Sequence, residues 1–293
     1  PHGGGATADG RAAGRAAAWL AANSAGLPAG QQADVIVALR AAGRGPAALR
    51  PRLTSLGRRA PAYARTAGGA GQGGKAGGPA GGRPPPCAGR AGGGGRVVMA
   101  AVAGGGHPRR LGGVDYLARV NARYAGGRYG ATAFDQALSL LAVEAAGSAA
   151  PRSAVRATLA ARGSGGWSFD LSRTGRDSVD ATAIVIEALA ATGVPASDPG
   201  LRAGVAWMLA QRNAEGGVQW SGRGGPTEAN STAGVIRAMR ALGLTPPAST
   251  RAALRGLQDR DGGIRFTRAA AGSRLMATTD ALIALAGRSL PQR

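Results

Sequence analysis

GGWSFDLSRTGRDSVDATAIVIEALAATG, residues 165–193, decides how the rest of the chain is read. It contains a Gly-Gly turn, an aromatic pair (Trp167, Phe169), a polar loop and then a helix opening near Asp180. Two looser copies follow, GGVQWSGRGGPTEANSTAGVIRAMRALG (216–243) and GGIRFTRAAAGSRLMATTDALIALAG (262–287). A shorter copy precedes them, GGRYGATAFDQALSLLAVEAAG (126–147). Self-similarity of this kind marks an array in which each unit buries its apolar face only by stacking on its neighbours.

Each unit pairs two unlike helices. The first is amphipathic and carries arginines, as in PRSAVRATLAAR or LRAGVAWMLAQR; the second reads as apolar nearly all round, as in ATAIVIEALAA or TDALIALAG. The pairs are 151–162 with 179–193, 199–213 with 229–243, and 249–260 with 275–287, preceded by 112–124 with 132–147. Glycines 43, 147, 193, 243 and 287 stand where a helix C-terminus takes a left-handed cap. A helix that is apolar on every side must be covered on every side. Six such helices inside six amphipathic ones solve that problem as two concentric rings. The predicted fold is therefore all-α, an α6/α6 toroid of helical hairpins, with no sustained alternation that would indicate a sheet.

The N-terminal third follows the pattern less closely. RAAGRAAAWLAA (11–22) and ADVIVALRAAG (33–43) form one hairpin, and a third helix is expected from about 53 to 67, with Pro61 predicting a kink or a late start. GGAGQGGKAGGPAGGRPPPCAGRAGGGG (68–95) has almost no side chain able to bury apolar area. It reads as a disordered Gly/Pro-rich insertion that disrupts the second hairpin, whose other helix resumes over 96–105. Residues 1–10 read as a disordered N-terminus and 11–293 as a single toroid domain.

Composition narrows function by exclusion. The formal net charge is +21, yet the basic residues are arginines almost throughout, with Lys75 the only lysine. A G- and C-rich genome accounts for such a composition, and no basic run with interleaved aromatics suggests specific nucleic-acid binding. An arginine-rich polyanion-binding surface remains the third reading of function. Cys87 is the only cysteine and the histidines are His2 and His107, so no metal or other cofactor is expected. No apolar run reaches the ~18 residues of a membrane span. A chain that begins PHGGG is compatible with a cytoplasmic protein and equally with an exported one whose signal has been removed. The sequence does not address oligomeric state.

AWMLAQRNAEGGVQW (206–220) resembles the QW-type repeat of the terpenoid cyclases and protein prenyltransferases. Trp207, Gln211, Gly216 and Gly217 match, with the following aromatic displaced to Trp220. Leu257, Gln258, Gly262, Gly263 and Phe266 repeat the pattern; Gly165, Gly166 and Trp167 keep part of it, as do Tyr116, Gly126, Gly127 and Tyr129. The similarity spans about 110–287, and it is closest to bacterial prenyltransferase and squalene-oxidase repeat proteins. It implies an α/α toroid with a central cavity.

Class II cyclases of this type carry Asp-x-Asp-Asp-Thr-Ala, whose middle Asp protonates the substrate. Aligned on Thr182-Ala183, the chain has Ser178-Val179-Asp180-Ala181, so only the middle carboxyl is retained. Asp180 is then the candidate acid and Asp177 its possible partner. Trp167, Phe169, Asp135, Tyr129, Asn230, Trp220 and Asp280 are the candidates for lining a ligand cavity. Capping of the second helices is the plainer role for Asp180, Asn230 and Asp135. With both motif neighbours of Asp180 lost and aromatics at only 4% of the chain, the expectation is a non-enzymatic binding or scaffold module for an apolar or amphipathic ligand or partner. A class II terpene cyclase acting through Asp180 is the alternative.

Overall fold

The computed structural model describes residues 7–66 and 90–292. The disorder expected over 1–6 and 68–89 lies outside these residues. Within them are twelve helices and, beyond isolated bridges, no strand. They are α1 (Ala8–Asn23), α2 (Ala29–Ala41), α3 (Pro46–Thr66), α4 (Arg90–Ala103), α5 (Tyr116–Asn121), α6 (Ala133–Ala145), α7 (Arg152–Ala160), α8 (Val179–Ala191), α9 (Pro199–Ala210), α10 (Ala229–Ala241), α11 (Ala248–Arg255) and α12 (Arg274–Leu285).

The even-numbered helices form the inner ring. Each packs on the next, and α12 packs back on α2, so the ring closes. The odd-numbered helices lie outside against them, with α1 covering the junction by packing on both α12 and α2. Burial follows the sequence distinction between the two helix types: α8 buries ten of its thirteen residues, whereas α7 buries only Ala154 and Thr158. Gly105 (φ 73°) completes the series of left-handed helix-terminating glycines and supplies the terminator that the spacing between Gly43 and Gly147 lacked.

Two differences from the sequence reading lie in the second hairpin. α3 runs from Pro46 through both Pro51 and Pro61 without ending. α4 begins at Arg90, so 90–95 of the expected insertion is helical. Its glycines allow close approach: a Cβ on Gly95 would stand 2.5 Å from the Leu138 carbonyl oxygen of α6, and one on Gly93 would stand 2.9 Å from the Tyr63 hydroxyl of α3. Helix–helix contact here substitutes for the missing side chains. At the N-terminus, likewise, residues 8–10 belong to α1, capped by the Thr7 hydroxyl accepting from Gly10 N.

The Gly-Gly joints hold the two rings in register. In each, the turn of one unit rests on the outer helix of the next: Gly127 on Ser153 and Ala157, Gly165 on Trp207, Gly216 on Ser249, and Gly262 on Arg15 of α1. Left-handed backbone is required at Gly216 (φ 89°) and Gly262 (φ 95°). At Gly165 and Gly166 the requirement is space, since a Cβ would stand 2.0 Å from Trp207 Cδ1 and 2.2 Å from Thr182 Oγ1. A hydroxyl on the inner helix takes up the amide after three of the turns: Trp167 N donates to Thr182 Oγ1 (2.9 Å), Val218 N to Thr232 Oγ1 (3.2 Å) and Ile264 N to Thr278 Oγ1 (2.8 Å). At the first, Tyr129 N donates to Gln136 Oε1 (2.8 Å). The next loop's aromatic residue then accepts from the first amide of an inner helix. Ala133 N donates to Phe169 O (2.7 Å), Val179 N to Trp220 O (2.9 Å) and Ala229 N to Phe266 O (2.8 Å). Gln258 seals the last joint to the first, its Nε2 donating to Ala12 O (2.9 Å) and Gly262 O (3.0 Å).

Candidate functional site

The ring encloses a cavity of about 280 Å³ lined by α2, α3, α4, α6, α8, α10 and α12. Most of its wall is apolar, including Val37, Met99, Phe134, Leu138, Ile184 and Ile283. Polar groups enter from one side chain or two on each of several inner helices: Asp34, Arg96, Asp180, Asn230, Arg237 and Asp280. An apolar concavity with a few converging polar groups is the usual form of a small-molecule site, although ~300–1,000 Å³ is the common size.

Of the residues singled out in the sequence, Asp180, Asn230 and Asp280 reach this cavity. None of Asp180, Asn230 and Asp135 is a helix cap, which corrects the plainer reading of all three. Ser178 caps α8 and Thr132 caps α6, each accepting from the amide three residues on. α10 begins after Glu228, without a side-chain cap bond. The caps lie two or three residues earlier than the carboxyls and amide, which sit inside the first turn and project from it. Asp135 is buried between α6 and α4, accepting from Thr132 Oγ1 (2.8 Å) and Gly92 N (3.1 Å). Asp177 holds the Gly-Gly turn, its Oδ2 accepting from Gly165 N (2.8 Å) and Gly166 N (3.1 Å).

The aromatic candidates belong to the joints rather than to the cavity wall. Trp167 is fully buried, its indole donating to Thr158 O (2.7 Å). Tyr129 is buried against Tyr124, and burial pushes its phenol up to about 12. Phe169 and Trp220 are exposed, Phe169 tilted against the cavity residue Phe134 at 5.9 Å.

Asp280 and Asn230 belong to a set of charged and polar groups among the inner helices whose other members, Glu187, Arg237, Asp34 and Arg96, sequence reasoning missed. Arg237 on α10 lies between two carboxylates, its Nε 3.3 Å from both oxygens of Glu187 on α8 and its Nη1 2.8 Å from Asp280 Oδ1 on α12. Asn230 Nδ2 donates to the other Asp280 oxygen at 2.5 Å, and Leu290 N donates to Glu187 Oε1 at 3.0 Å. Across the ring, Arg96 on α4 donates to Asp34 Oδ2 on α2 at 2.6 Å. Burial raises the Glu187 carboxyl, with Arg237 opposing. Burial also pushes Asp34 up to about 6 against the pull of Arg96, and the nearby Asp280 adds to the rise. About a third of the Asp34 side chain is exposed, but Asp34 lines the interior cavity, where surrounding protein still desolvates it. For Arg237, desolvation alone would lower the guanidinium; Glu187 and Asp280 outweigh it and hold the charge. The available signal was the pair of charged residues on each of these inner helices, amid mostly apolar and small ones. Among the described residues no group of three His, Cys, Asp or Glu is placed to hold a metal ion, and no helix is long and apolar enough to cross a membrane.

These features define a closed α/α toroid with a central, mixed-polarity cavity. Among solved structures the chain is similar to the type II terpene cyclase MstE from Scytonema without ligand, at 16% identity and a TM-score of 0.58, covering 95% of this chain and 97% of that one. A variant of the same cyclase in complex with geranylgeranyl dihydroxybenzoate matches at 17% identity and the same TM-score, over 95% and 97% of the two chains. A second variant bound to that substrate matches at 16% and 0.58, over 95% and 96%. No protein-family model matches the sequence, and a comparison with curated proteins found no match. At these identities the likeness is one of fold.

Proposed function

We propose that the protein is a binding module that takes an apolar or amphipathic small molecule, of isoprenoid character, into the centre of its ring. The observation that carries this reading is the cavity, apolar over most of its wall and bearing polar groups from α2, α4, α8, α10 and α12. The cyclase with the same fold is described with a geranylgeranyl-bearing substrate, which supports a ligand of that kind. Binding without turnover is favoured by the surroundings of Asp180. Ser178 stands where the motif has its first carboxyl and serves as a cap, Ala181 stands in place of the last, and Asp177 is engaged by the turn amides. The sequence motif that makes the middle carboxyl a strong acid is thus incomplete in this chain.

A second reading has one observation in its favour: Asp180 lines the cavity and does not cap its helix. In that reading Asp180 protonates an alkene and the protein is a class II terpene cyclase. One experiment addresses both. Calorimetry with geranylgeraniol should show binding, and Ala183→Phe, which fills the cavity from α8, should weaken it by at least about tenfold. Extracts of the same incubations should contain unchanged ligand. No binding by the unmodified protein would overturn the binding reading; a cyclised product that disappears in Asp180→Asn would replace it with the cyclase.

A further inference from the structure

Among the described residues the interior charges do not balance. Glu187, Asp280, Asp34 and Asp180 face Arg237 and Arg96, four carboxyls against two guanidiniums. Glu187 and Asp280 share Arg237, and Asp280 is further held by Asn230. Asp34 has Arg96 as its ion-pair partner, through Oδ2. The groups around Asp34 are Arg96 from α4, Asp280 from α12, Arg237 from α10 and the Tyr63 phenol from α3, all of them in the cavity wall. The packed helices α12 and α2 thus bring two carboxyls to the same cavity wall, Asp280 paired with Arg237 and Asp34 with Arg96. Asp180 stands seven residues before Glu187 on α8, about 10 Å along the helix axis, and lines the same cavity.

We infer that Asp34 and Asp280 form the head-group subsite of the cavity and take a ligand whose apolar body ends in a protonated amine. This rests on the binding reading above and specifies the ligand. An ammonium supplies the missing positive charge and has three N–H donors for carboxylate oxygens. Hydrogen bonds to charged groups are the stronger ones. A diphosphate or carboxylate head would add negative charge beside two carboxylates in a desolvated wall and is rejected by the same geometry. In the empty cavity a proton on Asp34 meets the same need, which agrees with the upward displacement of its carboxyl to about 6. Ammonium and proton then compete for one site.

The test compares three probes with one chain: geranylgeranylamine, geranylgeraniol and geranylgeranyl diphosphate, by calorimetry with the full-length protein. Above neutral pH the amine should bind at least about tenfold more tightly than the alcohol, the worth of a charge-assisted hydrogen bond. The diphosphate should not bind. Lowering the pH through about 6 should weaken the amine and leave the alcohol unchanged. Asp34→Asn should bring the amine down to the affinity of the alcohol. Because that variant could fold poorly, proton release is measured on the unmodified protein in two buffers of different ionisation enthalpy. Near pH 6 amine binding should release about half a proton and alcohol binding none. Equal affinities for amine and alcohol, or amine binding without proton release, would overturn the subsite while leaving the binding reading intact. Failure of both amine and alcohol to bind would overturn the two together.

Discussion

Replacing Arg237 with methionine measures how far the inner ring depends on its buried charges. The guanidinium reaches from α10 to α8 and α12, 3.3 Å from both oxygens of Glu187 and 2.8 Å from Asp280 Oδ1. Glu187 has no solvent exposure, so the substitution leaves a carboxylate whose remaining donor is Leu290 N–H at 3.0 Å. Removing one partner of a buried ion pair costs ~3–5 kcal/mol, because the other charge is stranded. The 3.3 Å contacts are long, which places the expectation near ~3 kcal/mol. Methionine retains much of the apolar stem and fills irregular space, so little of the loss comes from a void. At ~2–4 °C per kcal/mol for a large domain, the melting temperature should fall by roughly 6–12 °C.

The deficit should depend on pH, and its sign follows from Glu187. Burial already raises that carboxyl above its unfolded value, and Arg237 is the chief opposing influence. Without Arg237 the carboxyl rises further. A carboxyl raised on folding costs stability above its folded pKa; as pH falls through that value the native state takes up the proton first and the cost shrinks. Urea melts should therefore show the largest deficit near about pH 8 and a smaller one near about pH 5. Glu187→Gln in the Arg237→Met background should restore most of the loss, giving a coupling energy well above ~1 kcal/mol in a double-mutant cycle. A deficit below ~1 kcal/mol, independent of pH and additive with Glu187→Gln, would refute the account of the network.

Gly95→Ala should destabilise the protein by ~1–3 kcal/mol even though alanine is the better helix former by ~1 kcal/mol, because its Cβ would stand 2.5 Å from a backbone oxygen of α6; a raised melting temperature would show that the α4–α6 approach can relax. Thr182→Val should cost ~1–3 kcal/mol by leaving the buried Trp167 amide without its acceptor at 2.9 Å, seen as loss of hydrogen-exchange protection at Trp167. For the unmodified protein, the Asp34 contribution should make stability fall as pH rises from about 4 to about 6, because the native state holds that proton longer than the unfolded chain. Asp34→Asn should flatten the slope in that window, and an unchanged slope in urea melts would remove Asp34 from the account.

The toroid was legible because its evidence is periodic. A Gly-Gly turn, an apolar inner helix and a terminating glycine recur in four copies, the N-terminal hairpin and the disrupted second one bring the units to six, and closure follows from the need to cover apolar helices on every side. Glycine gave the least reliable signal. The run at 92–95 reads as a segment unable to fold, because sequence shows what glycine lacks and not what fills the space; there the fillers are Leu138 on α6 and Tyr63 on α3. Similarly, Gly165 and Gly216 look alike as letters, yet one is constrained by Trp207 and the other by a positive φ.

The site was much less legible, for a reason rooted in the same repeats. Attention went to Trp167, Asp177 and Asp135 because they cluster with the repeat signature, and the signature turns out to encode joints: a buried indole on Thr158 O, a carboxylate on two turn amides, another across α4 and α6. The interior chemistry comes from residues that break the pattern. Asp34, Arg96, Glu187 and Arg237 stand on inner helices that each carry a second charged residue (Arg40, Arg90, Asp180 and Arg240), and a charge on a helix is ordinarily read as its solvent-facing position. In a closed ring the inner helices are covered from outside by the odd-numbered helices, so the face left for a charge is the one toward the centre. Isolated charges cannot be stable there, since desolvation far exceeds what a polar wall returns. They occur as partners drawn from different helices, separated by 50 residues for Glu187 and Arg237 and by 62 for Asp34 and Arg96. Local periodicity does not show such pairs, because the register that brings them together is set by the closing of the ring.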